Sequence, residues 1–173
     1  KDSSSKEVFD NLSRHHVSIF YGVASFEDAH TLHVQGKDHI SLFGEYIIIA
    51  TGSYPYHPKN IPFDSKRVHD SDTILQLTRH PSSLCIVGAG VIGCEYATIF
   101  ATIGTHVYLI NDKKKILPHL DEEISHALVK EMQSSGIDIL FNTSIESIHT
   151  PTSDQTLIDV NLKNKKNLEV DMF

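Results

Sequence analysis

SLCIVGAGVIGCEYATIFATIGTHVYLI, residues 83–110, is the stretch of sequence that decides the fold. Its apolar run at 84–87 is typical of a buried parallel strand, and apolar positions at helical spacing follow over 91–103. Gly104 then supplies a helix C-cap, and 105–110 is rich in β-forming residues. The stretch therefore predicts a strand, a glycine turn, a helix and a second, parallel strand, which is the context that a dinucleotide-binding fingerprint requires.

Three glycines in G-x-G-x-x-G spacing stand between the first strand and the helix. Gly88 permits a tight turn, Gly90 lets the backbone approach a pyrophosphate, and Gly93 allows the helix to pack closely on the strand. The helix N-terminus adds free N–H groups and a partial positive charge. We predict that the turn binds a dinucleotide, the alternative being a purely structural glycine turn. The predicted cofactor-binding residues here are Gly88, Ala89, Gly90, Val91, Ile92 and Gly93.

Length and composition predict one globular domain, or one domain with part of another, in 173 residues. Hydrophobic residues make up 40% of the chain, and a net charge of −7 argues against nucleic-acid or anionic-membrane partners. No apolar run is long enough to span a bilayer, and we expect no signal peptide. Cys85 and Cys94 match no zinc or redox spacing, so we interpret them as reduced, buried residues of a cytoplasmic protein. Because the chain begins at Lys1 and ends on Phe173, we expect it to be part of a longer protein.

The first part of the chain is predicted to contain a helix end and a β-hairpin. Residues 1–16 have apolar positions at roughly helical spacing, and 17–26 is apolar and β-branched. The β-forming runs 30–34 and 39–43 flank the segment Gln-Gly-Lys-Asp, a pattern typical of a hairpin with a glycine turn.

A second motif begins with the hydrophobic run EYIIIA at 45–50, which predicts a buried strand. The run leads into Thr51, Gly52 and Ser53, where the glycine permits a close backbone approach and the hydroxyls offer turn hydrogen bonds. From the residues alone, an ordinary strand-to-loop turn explains this segment equally well.

The chain between the two motifs is predicted to be a surface connection. Residues 54–70 contain three prolines and no periodicity. Asp-Ser-Asp at 70–72 is an N-cap signature for a short helix over 73–77, which Pro81 ends.

The loop after the second fingerprint strand bears on the choice of nucleotide. A dinucleotide fold usually places an acid here for the ribose hydroxyls, whereas this chain has the neutral Asn111. Asn111 can still hydrogen-bond a hydroxyl without repelling a phosphate, and Asp112 can accept hydrogen bonds from the hydroxyls. Lys113 and Lys115 can meet a 2′-phosphate, so all four are predicted cofactor-binding residues. The alternative interpretation is a solvated run of charges.

The rest of the chain continues the α/β pattern. The amphipathic segment 121–135 predicts a helix with acidic residues in its first turn, and 137–141 predicts a third strand. Three further strands, at 144–149, 156–162 and 168–172, predict a β-meander. The predicted fold class is therefore α/β, a Rossmann-like domain with a parallel βαβαβ sheet plus a β-meander. The twelve histidines are scattered, and we predict no metal site.

Taken together, the motifs make the chain resemble the FAD-dependent pyridine nucleotide disulfide oxidoreductases. The residues that carry the resemblance are EYIIIATGSYPYHP at 45–58, VHDSDTIL at 68–75, GAGVIGCEYATIF at 88–100 and LINDKKKILPHLDEEI at 109–124. They follow the family's order and spacing over nearly the whole chain.

The resemblance implies a layout, cofactors and residue roles. Residues 1–70 correspond to part of an FAD-binding domain and 71–173 to an NAD(P)-binding domain. Glu95 matches the family's glutamate beside flavin and nicotinamide, which makes it the predicted catalytic residue. The implied cofactors are FAD, NAD and NADP. The positions implied to lie near FAD are Ala50, Thr51 and Gly52.

Within the family the resemblance is strongest to the transhydrogenases, which pass hydride between NADPH and NAD through FAD. Dihydrolipoamide dehydrogenase or a related flavin disulfide reductase is the alternative, and a nucleotide-sensing module without catalysis is a third. The family's N-terminal glycine fingerprint, redox-active cysteine region and dimerisation domain are not among these residues, so we expect this chain alone to be inactive. The resemblance implies nicotinamide dinucleotides as partners and a cytoplasmic homodimer or larger homo-oligomer for the full-length protein.

Overall fold

The computed structural model describes residues 2–151 and 157–173, and the chain separates into two compact units, Lys1–Ser53 and Tyr54–Phe173. This division reflects which residues pack together. It does not test the predicted boundary after residue 70 between the FAD-binding and NAD(P)-binding domains, which stays a prediction. Across the described residues, no helix is both long and apolar enough to cross a membrane.

The first unit contains one helix and one antiparallel sheet. Helix α1 is followed by three strands, β1, β2 and β3, paired in that order. Strand β2 pairs with both neighbours, so that Val34 lies opposite Ala24 and Ile40. The predicted helix end and glycine-turn hairpin are confirmed. Their bounds are Asp2–Arg14 for α1, Gly22–Phe26 for β1, Thr31–Gly36 for β2 and His39–Phe43 for β3.

The prediction of a buried strand at EYIIIA is wrong. Residues 47–50 belong to no strand, and the side chains of Ile48 and Ile49 are 89% and 69% exposed. A buried strand needs neighbouring strands for its backbone and a second layer over its side chains. No strand in the described part of the chain pairs with this segment, so its apolar composition alone misled the sequence prediction.

The segment that opens the second unit leads into a short 3-10 helix, Thr73–Gln76. The N-cap position is Asp72, whose own side chain makes no capping bond, and the side chain that caps the helix is that of Asp70. The Asp70 Oδ1 atom accepts the N–H of Asp72 at 3.0 Å and that of Thr73 at 2.8 Å. The predicted cap signature was therefore correctly located, with its first aspartate as the acceptor.

A parallel sheet flanked by helices forms the centre of the second unit. Strands β4, β5 and β6 are adjacent in that order, and β5 is parallel to both neighbours. This confirms the predicted βαβαβ unit to within a residue or two at each boundary. The elements are β4 (Ser83–Val87), α2 (Val91–Thr102), β5 (His106–Ile110), α3 (Glu122–Ser134) and β6 (Ile137–Leu140).

An antiparallel meander covers the other side of the unit. It consists of β7 (Ile145–His149), β8 (Ile158–Leu162) and β9 (Asn167–Val170), paired in that order. The predicted meander is confirmed, while the predicted start of its second strand at Thr156 lies outside the described residues.

The parallel sheet is buried on both faces because alternate side chains enter two different cores. Leu84, Val107 and Leu109 pack with side chains of α2 and α3, including Met132. Cys85, Ile110 and Tyr108 pack instead against the meander. Both cysteines are free and buried, and burial raises the pKa of the Cys85 thiol to about 12.

Candidate functional site

The glycine turn between β4 and α2 has the geometry of a phosphate-binding loop. Gly88 has a φ of +99°, a left-handed conformation that favours glycine. A Cβ on Gly93 would overlap the carbonyl oxygen of Gly88, so only glycine lets the helix approach the turn this closely. Gly90 differs from Gly88 in its φ of −81°, which suits any residue, and from Gly93 in that a Cβ there would meet no atom within 4 Å. The open space of the turn therefore lies over Gly88 and Gly90.

The N-terminus of α2 opens onto this space. Gly90 is the N-cap residue and has no side chain to satisfy the first turn. The carbonyl of Gly90 accepts the N–H of Cys94 at 3.0 Å, which begins the helical ladder. The N–H groups of the preceding first-turn residues have no partner inside the helix, so they and the helix dipole suit an anion such as a pyrophosphate.

A cavity of 620 Å³ adjoins the glycine turn. One wall is formed by the turn and by the first helical residues, whose side chains Val91 and Ile92 are 52% and 58% exposed. The opposite wall comes from the segment that opens the second unit and includes Tyr56 and Phe63. The cavity is thus mostly apolar, with backbone N–H groups concentrated at the glycine turn.

The cavity lies at a position where the sheet changes its direction of winding. Strand β4 pairs with β5 on one side, and on its other side Leu84 forms a parallel bridge with Met172. The N–H of Cys85 donates to the carbonyl of Met172 at 3.0 Å. In open α/β sheets, ligands bind beyond the carboxyl ends of the strands at such a switch point.

The loop after β5 holds the residues predicted to select the nucleotide. Asn111 is only 6% exposed, and its Nδ2 donates to the carbonyls of Lys113 and Lys115, each at 3.1 Å. The Nζ of Lys115 donates to the carbonyl of Leu120 at 2.7 Å, whereas Asp112 and Lys113 are exposed. The amide of Asn111 and the ammonium of Lys115 therefore shape the loop, a role that the sequence reasoning missed.

This loop and the glycine turn are directly connected. The N–H of Leu117 donates to the carbonyl of Ala89 at 3.1 Å, and the N–H of Gly88 donates to the carbonyl of Ile110 at 2.8 Å. Ile116 and Leu117 are buried in the helix-side core. The structure thus brings the predicted phosphate-binding and ribose-binding segments to the same edge of the sheet.

The other predicted site residues lie on exposed positions. Glu95 is exposed on α2, within the first turn and a half of the helix. Ala50, Thr51 and Gly52 are exposed residues of the first unit, and Gly52 has a φ of +79°. In the described ranges 2–151 and 157–173, no group of three His, Cys, Asp or Glu residues could hold a metal ion.

His57 and Asp70 stabilise the wall of the cavity opposite the glycine turn. The sequence analysis did not identify this pair. The His57 Nε2 atom lies 2.6 Å from Asp70 Oδ2, and the His57 ring stacks on Phe63 at 4.0 Å between centroids. The N–H of Thr73, together with the His57 contact, holds the pKa of the Asp70 carboxyl well below its usual range. The hydroxyl of Tyr96 on α2 donates to the carbonyl of Ser71 at 2.8 Å, which joins the two walls.

The whole chain, residues 1–173, matches the family described as pyridine nucleotide-disulphide oxidoreductase. The soluble pyridine nucleotide transhydrogenase of Yersinia pestis strain Pestoides F is 44% identical over 160 residues, which are 91% of this chain and 34% of that protein. The same enzyme of Yersinia pseudotuberculosis serotype O:1b shows the same values. The chain thus spans about a third of the length of the curated relatives it matches.

Two solved structures share the fold of this chain. The HOCl-induced flavoprotein disulfide reductase RclA of Escherichia coli superposes with a TM-score of 0.75 and 30% identity, over 96% of this chain and 38% of that one. LpdA of Mycobacterium tuberculosis superposes with a TM-score of 0.83 over 99% of this chain and 38% of that one. At 19% identity, the likeness to LpdA concerns the fold alone.

Proposed function

Because the chain belongs to the pyridine nucleotide-disulphide oxidoreductase family, we propose that it is the central NAD(P)-binding part of an FAD-dependent enzyme. The proposed reaction of the whole enzyme is hydride transfer between NADPH and NAD through FAD. The observation that carries the proposal is the open glycine turn at the N-terminus of α2, beside the cavity at the switch point of the sheet. The identity to soluble transhydrogenases supports this member of the family over others.

In the proposed complex, the backbone around Gly90 and the first turn of α2 bind the pyrophosphate. The empty space over Gly90 supports this role because any side chain there would occupy the anion's position. Val91 and Ile92, with their exposed apolar side chains, would contact the nicotinamide half. When bound, the nicotinamide supplies the hydride, while the protein orients it and excludes water.

The adenosine ribose is proposed to bind at the loop after β5. Asp112 and Lys113 are exposed there, and they suit a ribose hydroxyl and a 2′-phosphate respectively. Asn111 and Lys115 hold the loop in shape through their bonds to its carbonyls. The loop carries no acid in the buried position that would repel a 2′-phosphate, and this supports binding of both NAD and NADP.

The flavin contacts are assigned by the motif resemblance. We propose that Ala50, Thr51 and Gly52 lie near FAD in the whole enzyme and that Glu95 lies beside flavin and nicotinamide. The proposed cofactor domains are 1–70 for FAD and 71–173 for NAD(P). We also propose a cytoplasmic location and a homodimer or larger homo-oligomer for the whole protein.

A flavin disulfide reductase is the second candidate. The superposition on the flavoprotein disulfide reductase RclA favours it. The two candidates differ in whether the enzyme carries a redox-active cysteine pair. Cys85 and Cys94 are not candidates for that pair, because both thiols are buried and burial raises the pKa of each.

Calorimetric titration of the chain with NADH and with NADPH tests the proposed dinucleotide site. Gly90→Val should abolish detectable binding of both while the melting temperature stays close to that of the wild type, because the added side chain fills only open space in the unliganded chain. Thr102→Val adds a valine at the exposed far end of the same helix and should leave binding unchanged. Unchanged affinity in Gly90→Val would remove the glycine turn from the site.

A further inference from the structure

The phenol of Tyr96 joins helix α2 to the segment that forms the facing wall of the cavity. Its hydroxyl donates to the carbonyl of Ser71 at 2.8 Å, across 25 positions of sequence. The side chain is half-buried, and its ring lies 6.5 Å from that of Phe100 on the same helix. Burial, followed by the charges of Asp72 and Glu95, raises the pKa of the Tyr96 phenol. The hydroxyl therefore keeps its proton at neutral pH and can act as the donor.

The Ser71 carbonyl that accepts this bond belongs to a well-fixed turn. Asp70 and Thr73 are bonded to each other in both directions. The N–H of Asp70 donates to the Thr73 hydroxyl at 3.0 Å, and the N–H of Thr73 donates to the Asp70 carboxylate at 2.8 Å. The N–H of Ile74 donates to the Asp70 carbonyl at 3.1 Å. The bond from Tyr96 therefore connects α2 to the whole turn and not to one mobile carbonyl.

Tyr96 stands between two cavities. Together with Ile74, it lines the 620 Å³ cavity beside the glycine turn and also a second cavity of 440 Å³. The second cavity includes the exposed side chains of Leu75, Ile99 and Ile103. Because there is empty space on both sides of this partition, apolar packing alone does not fix its position. The hydrogen bond to Ser71 supplies a directional constraint that packing lacks.

The cavity beside the glycine turn suits one half of the proposed dinucleotide. Among the described residues, its lining includes Gly88, Gly90, Val91 and Ile92 but no residue of the loop at 111–117. The adenosine ribose is proposed to bind at that loop, and the pyrophosphate at the glycine turn. The nicotinamide half is therefore the part of the ligand that the cavity can admit.

We propose that Tyr96 is a positioning residue, whose bond to Ser71 holds the two walls of the cavity at the spacing that the nicotinamide half requires. A chain with loosened walls spends only part of its time in the arrangement that binds, and its apparent affinity falls by that fraction. The role rests on the proposed dinucleotide site and specifies how that site is organised for one half of the ligand.

Two ligands that share the pyrophosphate and adenosine separate this role from a general effect on the site. The chain is titrated calorimetrically with NADH and with ADP-ribose, which has no nicotinamide. Tyr96→Phe removes only the hydroxyl and keeps the ring. It should weaken NADH binding about threefold to fivefold, as expected for one net hydrogen bond, and leave ADP-ribose within about twofold. Tyr108→Phe, the same change on β5 outside this cavity, is the matched control and should alter neither affinity.

The outcomes separate the Tyr96 role from the proposed function. An NADH affinity that Tyr96→Phe leaves unchanged, or equal losses for NADH and ADP-ribose, would overturn the Tyr96 role while leaving the glycine-turn site in place. A merely structural role would weaken both ligands alike. Failure of the wild type to bind NADH or ADP-ribose would overturn the proposed site, and the Tyr96 role with it.

A measurement on the wild-type chain covers the case in which Tyr96→Phe fails to fold. Hydrogen exchange is followed by mass spectrometry at the backbone amides of 72–74, the turn that Tyr96 joins to α2. Saturating NADH should slow this exchange more than saturating ADP-ribose does, because the nicotinamide half binds between the two walls. Equal protection by both ligands, or protection by neither, would contradict the proposal.

Discussion

The backbone N–H of Leu117 donates to the carbonyl of Ala89 across 3.1 Å, which joins the loop after β5 to the glycine turn. Leu117 is buried and has a φ of +44°, so this contact holds a non-glycine residue in the left-handed region. The two halves of the proposed dinucleotide site are therefore one connected piece. Loss of the loop's shape should disturb the glycine turn as well.

Gly93→Ala should destabilise the chain, whereas Gly90→Ala should be tolerated. A Cβ at Gly93 would overlap the Gly88 carbonyl oxygen, and such overpacking typically costs about 1–3 kcal/mol despite the better helix propensity of alanine. At Gly90 the space is open, and the expected change is within about 1 kcal/mol. Urea denaturation of both variants measures the difference, and equal stabilities would refute the close packing of α2 on the turn.

NADH and NADPH should bind within roughly tenfold of each other, or ~1.4 kcal/mol. Lys113→Ala should weaken NADPH alone by up to about fivefold, because an exposed ion pair contributes only about 0–1 kcal/mol, and the loss should shrink at high salt. Lys114→Ala, at the adjacent exposed position, is the control. Dissociation constants that rise equally for both nucleotides would show that Lys113 does not contact the 2′-phosphate.

Lys115→Ala should change the affinities for NADH and NADPH in a different way from Lys113→Ala. Because the Lys115 ammonium is bonded to the Leu120 carbonyl, its removal should loosen the loop and weaken NADH and NADPH together. Calorimetric titration with both nucleotides separates the two effects. A loss confined to NADPH would instead indicate that Lys115 leaves the loop carbonyl and binds the phosphate directly.

Asp70→Asn should lower stability at neutral pH and flatten its dependence on acid. The folded-state pKa of Asp70 is depressed by the Thr73 N–H and the His57 contact. The stabilisation is therefore present above the unfolded pKa of about 3.9 and is lost as the pH falls below that value toward the folded pKa. We expect a loss of about 1–2 kcal/mol at pH 7 and a much smaller difference near pH 2.

Urea midpoints of wild type and Asp70→Asn at several pH values measure this effect. Asp138→Asn, which removes an exposed partner of His106, should change stability little at any pH and is the control. A constant difference between wild type and Asp70→Asn from pH 7 to pH 2 would mean that the carboxylate charge does not stabilise the cap.

The chain by itself should not retain FAD. Its sequence contains a single G-x-G-x-x-G, which the proposed function assigns to NAD(P), and Ala50, Thr51 and Gly52 are exposed and belong to no strand. Gel filtration after incubation with FAD should give a colourless protein peak. Co-elution of flavin absorbance at 450 nm (about the flavin maximum) with protein would contradict the proposed domain assignment.

The parts of the fold that were predictable from sequence are those fixed by neighbours along the chain. The glycine spacing, the acidic residues at the start of 121–135 and the alternation of strands and helices are local signals, and they located β4, α2, β5 and α3. Asp121 accepts the N–H of Glu123 at 2.9 Å, as an acidic N-cap should.

The parts that were missed depend on partners far away in the sequence. The run at 45–50 has the composition of a buried strand, but composition does not specify whether a neighbouring strand is present. Met172 pairs with Leu84, and the side chain of His57 reaches Asp70, through contacts that no local pattern encodes. Asn111 stands where a dinucleotide fold usually places an acid for the ribose hydroxyls, which suggested a ligand contact, while its amide is bonded within its own loop.

Alkylation of the two thiols offers a way to follow transient opening of the core of the second unit. Cys85 lies in strand β4 and Cys94 on helix α2, and both are buried, so neither can meet an alkylating reagent in the closed molecule. Labelling at neutral pH therefore requires a transient opening of the structure around the thiol, and the labelling rate reports the free energy of that opening. Because one thiol belongs to the strand and the other to the helix, mass spectrometry of the two labelled peptides would tell whether α2 detaches alone or the sheet opens with it.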